Sequence, residues 1–255
     1  MRSETTTLYR RLTWEVDAMI LEVKDVHAFY KDSHVLFGMD FGVNEGESVC
    51  LIGRNGAGKT TTMKAIMGMM NPNQKCTTKG SIIFNGKEIC GKPTYAISKM
   101  GMGYVPQGRH IFSMLSVKEN LEIAERKGVN GEQYWTLEKI FELFPRLKER
   151  LDFKGPSLSG GEQQMLAVAR GLVQNPKILL LDEITEGLAP IIVDELAEVI
   201  GELRRQGVTV LVAEQNMKFA LKVSDRCCIL EKGKIVYSDK TDAIPQEVFT
   251  KYLGV

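Results

Sequence analysis

Glu47-Ser-Val-Cys-Leu-Ile52 runs directly into Gly53-Arg54-Asn55-Gly56-Ala57-Gly58-Lys59-Thr60. The first stretch is an apolar run of strand length. The second fits GxxxxGK[ST], and a helical pattern follows from Lys59 to Met70. Glycines at these positions let the backbone approach phosphate oxygens closely. The loop amides then point inward, and the helix adds its positive N-terminal end. Lys59 is placed to reach the β- and γ-phosphates, and the Thr60 hydroxyl to ligate Mg²⁺, a hard cation that prefers oxygen. The alternative is a glycine-rich turn that matches by chance. The strand–loop–helix setting weighs against it.

A second strand of the same kind is Lys177-Ile-Leu-Leu-Leu181, ending in Asp182-Glu183. Continuous apolar runs mark strands buried on both faces. In open α/β sheets, ligands bind outside the carboxyl ends of such strands. Asp182 suits a Mg²⁺ shell, and Glu183 suits the polarisation of an attacking water. Acidic residues commonly follow strands, so the pair gains its meaning from the P-loop. The third motif is Leu158-Ser159-Gly160-Gly161-Glu162-Gln163-Gln164. Ser159 and Glu162 form a capping box, and the two glycines leave amide donors open at a helix start.

These motifs, in this order and spacing, resemble the ATP-binding subunits of ABC transporters over essentially Ile20 to Val255. The resemblance implies a P-loop NTPase (RecA-like) α/β core with an antiparallel β subdomain and a helical subdomain insertion. It implies ATP and Mg²⁺ as ligands, with ATP held by Tyr30, Arg54, Asn55, Gly56, Ala57, Gly58, Lys59, Thr60 and Thr61. Tyr30 takes the adenine-stacking position; a strand-edge ring packed on the surface is the competing reading. Thr60, Asp182 and the Q-loop glutamine, Gln107, fall to the metal. Ser159, Gly160, Gly161 and Glu162 fall to the ATP of an opposing subunit, and Glu186-Gly187-Leu188-Ala189 to the D-loop. Glu183 is the catalytic carboxylate.

Two positions depart from the family pattern. Gln215 stands where the usual residue is histidine; its amide can donate to a γ-phosphate but cannot titrate. Ile184 replaces the proline that usually follows the catalytic glutamate, which loosens the φ restraint there unless neighbouring contacts hold the loop. The Glu214-Gln215-Asn216 variant, with Thr185 to Pro190 and Phe144 to Arg150, resembles the importer branch that serves branched-chain amino acids, the LivF type. A near relative serves urea and short amides, and residues 106–109 leave it open. Implied partners are a second ATPase subunit, identical or paralogous, and transmembrane permease subunits. A substrate-binding protein acts indirectly. The implied workplace is the cytoplasmic face of the inner membrane, peripherally bound. A non-transport ATPase of this family is the remaining alternative, but it calls for coiled-coil arms, a zinc hook or tandem halves.

Composition bounds these readings. Lys plus Arg number 33 against 32 Asp plus Glu in 255 residues, a formal charge of +1. That argues against a dedicated nucleic-acid surface and against disorder. Five cysteines, odd in number and without a CxxC pair, argue against a disulfide framework or zinc site and read as small core residues. No stretch approaches the roughly 18 apolar residues of a span. Residues 1–18 are not a secretory signal and read as a tail or a start-site artefact before one domain over residues 19–255.

Strands are expected over Met19–Val26, Val35–Val43, Ser81–Phe84, Met102–Val105 and Val208–Ala213, with a hairpin around Lys232-Gly233. Residues 71–80 read as a loop, and Asn85-Gly86 as a hairpin turn. Residues 95–165 read as a mainly helical insertion. A helix over Pro190–Arg205, with Pro near its start and Gly207 past its end, resumes the α/β pattern. Met63, Met67 and Met70 recur at helical spacing and read as core.

Overall fold

A computed structural model describes residues 19–70, 73 and 76–254, and the expected tail, 1–18, lies outside them. The chain folds as an α/β core with two sheets and a set of helices.

The central sheet has the order β10-β9-β3-β8-β7-β6. It comprises β3 (Ser48–Gly53), β6 (Met102–Val105), β7 (Ile178–Asp182), β8 (Thr209–Glu214), β9 (Arg226–Glu231) and β10 (Lys234–Lys240). All its ladders are parallel except β9–β10, the hairpin around Lys232-Gly233. Every residue of β3, β7 and β8 is buried, which explains why they read as unbroken apolar runs. Their two-residue period divides the side chains between two cores. Cys50, Ile52, Leu179 and Leu181 face one, and Val49, Leu51, Ile178 and Leu180 face the other.

The second core lies under an antiparallel sheet of order β2-β1-β4-β5. Its strands are β1 (Met19–Tyr30), β2 (Ser33–Asn44), β4 (Cys76–Phe84) and β5 (Lys87–Glu88). Helix α1 (Lys59–Ile66) packs between the two sheets, with Met63, Ala65 and Ile66 in that core. Met67 and Met70 are buried there too, although the helix stops at Ile66, where Gly68 takes φ 64°. The first core collects α6 (Gly160–Leu172), α7 (Pro190–Arg205) and α8 (Met217–Val223). Helix α7 has Pro190 at its first position, as read.

The sequence reading fails at two places. Residues 76–80 are strand, not loop: β4 continues back to Cys76, pairing with β1 as far as Tyr30. Thr77 and Lys79 are exposed and Thr78 between them is polar, so the apolar alternation that signals a strand is missing. The interval from residue 95 is not helical throughout, because the expected strand Met102–Val105 belongs to the central sheet. It opens on α2 (Thr94–Lys99) and then β6, the edge strand of the central sheet, paired with β7. Helices α3 (Val117–Glu122), α4 (Leu137–Leu143) and α5 (Pro145–Glu149) precede α6. Pro145 starts a new helix here rather than only interrupting one. Helix α9 (Gln246–Leu253) follows β10. Four cysteines are buried and Cys90 half-buried, all free. Among the described residues no helix is long and apolar enough to cross a membrane.

Candidate active site

The carboxyl ends of β3, β7 and β8 lie side by side, and the candidate residues sit on the turns that follow. After β3 the chain must reverse into α1 within five residues. Gly58 does this at φ 109°, and a Cβ there would meet Leu36 at 2.8 Å. The loop is pinned from outside: Gly233 N–H donates to the Ala57 carbonyl at 2.8 Å, and Phe37 N–H to the Gly233 carbonyl at 2.9 Å.

Lys59 is 3% exposed. Its ammonium donates to the Gly53 and Arg54 carbonyls at 2.8 and 3.2 Å and pairs with Glu183 at 2.9 Å. A buried ammonium needs such partners, because an isolated charge there costs several kcal/mol or more. Next to it the Thr60 hydroxyl donates to Asp182 at 3.0 Å, and the Tyr104 hydroxyl donates to the other Asp182 oxygen at 3.0 Å. Burial pushes the Asp182 carboxyl above its usual range, against the lowering effect of both hydroxyls. Burial and the Asp182 charge push the Tyr104 phenol up, which keeps it a donor.

Thr60 and Asp182 offer a hydroxyl and a buried carboxylate, both hard oxygen donors. This fits Mg²⁺, which is held by one or two carboxylates together with substrate phosphates rather than by a full protein cage. No cluster of three or more His, Cys, Asp or Glu arranged for a metal occurs among the described residues. The Gln107 amide NH₂ donates to Glu183 at 2.9 Å and to Glu186 at 2.7 Å, so its nitrogen holds the acidic loop and only its oxygen faces the metal role.

Glu183 adopts φ 47°, a left-handed conformation that non-glycine residues rarely take. Such strain costs about 1–3 kcal/mol and persists only where surroundings over-determine it. Here they do. Glu183 N–H donates to the Ala213 carbonyl at 2.8 Å, Ile184 is 1% exposed in the core, and Glu214 grips Thr185 through its N–H at 3.0 Å and its hydroxyl at 2.9 Å. The loop is thus held without a proline at 184. Glu214 also accepts from the backbone of Gln215 and Asn216. Burial nonetheless pushes its carboxyl up.

The remaining candidates spread around this cluster. Thr61 is buried in α1, and Asn55 lines the same cleft as Glu183, Thr185, Glu186 and Gln215. Gln215 is exposed on that cleft. Arg54 turns its side chain away: its Nε donates to the Leu253 carbonyl at the end of α9 at 3.0 Å. Tyr30, half-buried at the end of β1, packs against the second core together with Tyr104. Ser159 and Glu162 close the capping box read from the sequence, at 2.8 and 3.3 Å, and Arg150 pairs with Glu162. The hydrogen bonds of this first turn do not reach the chain's own P-loop. Gly160 and Gly161 are closely packed: a Cβ would stand 2.5 Å from the Arg109 guanidinium and 2.7 Å from the Ile192 side chain, respectively.

Tyr104, Arg109 and Glu214 had no site role in the sequence reading, and Glu186 entered it only as part of the D-loop. Glu214 ends an apolar strand, as Asp182 does, and that parallel was the available signal.

A family model described as ABC transporter matches residues 36–186. The chain is 42% identical over 237 residues to the high-affinity branched-chain amino acid transport ATP-binding protein BraG of Pseudomonas aeruginosa, covering 92% of this chain and 100% of that one. It is 35% identical to the lipopolysaccharide export system ATP-binding protein LptB of Haemophilus influenzae, covering 92% and 97%. Among solved structures, cbiO1 from Clostridium perfringens, part of the ABC transporter complex cbiONQ, superposes with a TM-score of 0.75 at 24% identity, covering 92% of each chain.

Proposed function

The chain belongs to the ABC transporter family as an ATP-binding subunit with ATPase activity, and from that premise we propose that it powers an importer of branched-chain amino acids. The observation that carries the chemistry is the convergence of Lys59, Thr60, Asp182 and Glu183 at the carboxyl ends of β3 and β7, which flank β8. Support for the cargo is the 42% identity to the amino-acid transport relative, above the 35% to the lipopolysaccharide export relative.

Phosphoryl transfer needs positioning and charge neutralisation more than covalent help. Lys59 and the loop amides hold the β- and γ-phosphates at the positive end of α1. Thr60 and Asp182 would hold Mg²⁺, which when bound neutralises charge on the phosphate oxygens. Glu183 orients the attacking water and accepts its proton, once phosphate has taken Lys59 from it. One open P-loop supplies half of the donor shell. Ser159, Gly160 and Gly161 of a second ATPase subunit supply the other half, so hydrolysis depends on closure of a dimer. Closure moves α3 to α6 and, through them, permease subunits docked on the cytoplasmic face of the membrane. A substrate-binding protein delivers cargo on the other side.

The test is purification of the tagged chain with its membrane partners, followed by reconstitution in vesicles. ATP-dependent uptake of labelled leucine is expected. Uptake of urea instead, or ATPase activity that responds only to lipopolysaccharide, overturns the cargo assignment.

A further inference from the structure

Gln107 and Arg109 lie on one loop, and both hold the segment that follows β7. The Gln107 amide holds Glu183 and Glu186, beside the chain's own P-loop. Arg109 reaches outward: its Nη2 donates to the Gly187 carbonyl of the D-loop at 3.0 Å. The same guanidinium lies against the start of α6, where a Cβ on Gly160 would stand 2.5 Å from Nη1 and 3.0 Å from Cζ. To present it there, the backbone adopts φ 101° at Gly108 and φ 55° at Arg109, closed by Ile111 N–H to the Arg109 carbonyl at 2.8 Å. A non-glycine residue in that region costs energy and is retained where the side chain's direction matters.

We propose that Arg109 is a positioning residue that couples the two ATP sites through one chain, tying the D-loop beside Glu183 to the first turn of α6. This rests on the dimer reading above, in which α6 serves the ATP held by the opposing subunit. The electrostatics give the coupling a direction. A guanidinium has five donors and no acceptor, so it gains nothing from the positive end of α6 on its own. An anion arriving at that end changes the sign. It is attracted by the helix terminus and by Arg109 together, and Arg109 carries Gly187 with it. Docking of the γ-phosphate on α6 thereby acts on the loop that follows Glu183, at the other site. A lysine supplies the charge but not the planar fork that spans Gly187 and Gly160.

The experiment uses the full chain carrying Glu183→Gln, with ATP-driven dimer formation followed by light scattering and single-chain nucleotide affinity by a fluorescent ATP analogue. With Arg109→Ala added, dimer formation weakens about tenfold, the weight of one charge-assisted hydrogen bond. Affinity of the single chain for the analogue stays within about twofold, because the P-loop is untouched. Arg109→Lys recovers dimer formation in part in the Glu183→Gln chain, but with Glu183 intact it leaves maximal turnover low. That split separates positioning from fold support, which would lower both together. Undiminished dimer formation and turnover in Arg109→Ala overturn the coupling alone. Absence of any ATP-driven dimer in the Glu183→Gln parent overturns the dimer reading, and the coupling with it.

Discussion

Replacing Glu183 by Gln tests the site where its parts are most tightly joined. Glu183 pairs with Lys59 at 2.9 Å, with side chains only 14% and 2% exposed. Glutamine keeps the shape and one acceptor but removes the charge. Hydrogen bonds to charged groups contribute about 1.5–3 kcal/mol and neutral ones about 0.5–1.5, so the nucleotide-free protein loses about 1–2 kcal/mol. In a chain of this length that lowers the thermal midpoint by roughly 2–8 °C. The same quantity has a second effect. ATP must take Lys59 from Glu183, so the ion pair opposes nucleotide binding, and its loss strengthens ATP binding about 5- to 30-fold. Turnover falls about 10²- to 10⁴-fold, the span of general-base catalysis. The assays are thermal unfolding without nucleotide, ATP titration at concentrations that keep the chain monomeric, and phosphate release. An unchanged midpoint with unchanged affinity refutes the competition for Lys59. Hydrolysis at the normal rate refutes the role of Glu183.

Two further expectations concern the frame around the site. At Gly233, φ is 75° and a Cβ would stand 1.9 Å from the Val35 carbonyl, whereas at Gly86, φ is 71° with nothing within 4 Å. Gly233→Ala should cost about 3 kcal/mol or more and weaken ATP binding, whereas Gly86→Ala costs about 1–2 kcal/mol for backbone strain alone. Unfolding free energies from urea titration that differ by less than about 1 kcal/mol refute the packing argument. The second concerns Glu214, whose carboxyl burial pushes up despite its N–H and hydroxyl donors. A carboxyl raised in the folded state binds its proton more tightly folded than unfolded. It therefore opposes folding at neutral pH, and that penalty shrinks as pH falls from the raised value toward the ordinary carboxylate range. Wild type should thus gain more stability than Glu214→Gln between neutral and mildly acidic pH, measured by urea unfolding. Parallel pH slopes refute it.

Local chemistry was legible in the sequence wherever it is decided locally. The β3–P-loop–α1 unit, the Ser159 capping box and the Pro190 helix start each depend on residues within one turn of each other, and each stands where it was read. Partners chosen across the fold were not legible. Nothing in the strand Met102–Val105 says that Tyr104 bonds Asp182, because that depends on β6 pairing with β7 rather than with another strand. Nor does the P-loop announce that Arg54 turns to the end of α9. The left-handed backbone at Glu183 and Arg109 was hidden for a different reason: both are ordinary L-residues, and only tertiary contacts force them there. The polar run Thr77-Thr78-Lys79 of β4 lacked the apolar alternation that marks a strand.

The sheet order has a consequence for synthesis. The ladder partners of β3 are β8 and β9, and the Ala57 carbonyl is held by Gly233. At about 5–20 residues per second, the ribosome delivers those partners on the order of ten seconds after the P-loop has emerged. Until then β3, apolar toward both sides, is an unpaired strand in a nascent chain, and the loop behind it has no fixed shape for nucleotide to recognise. ATP therefore cannot guide the first half of the molecule to its fold. A ribosome that stalls before residue 209 leaves a chain that carries the whole P-loop motif yet has no site, and exposes a strand that chaperones must cover.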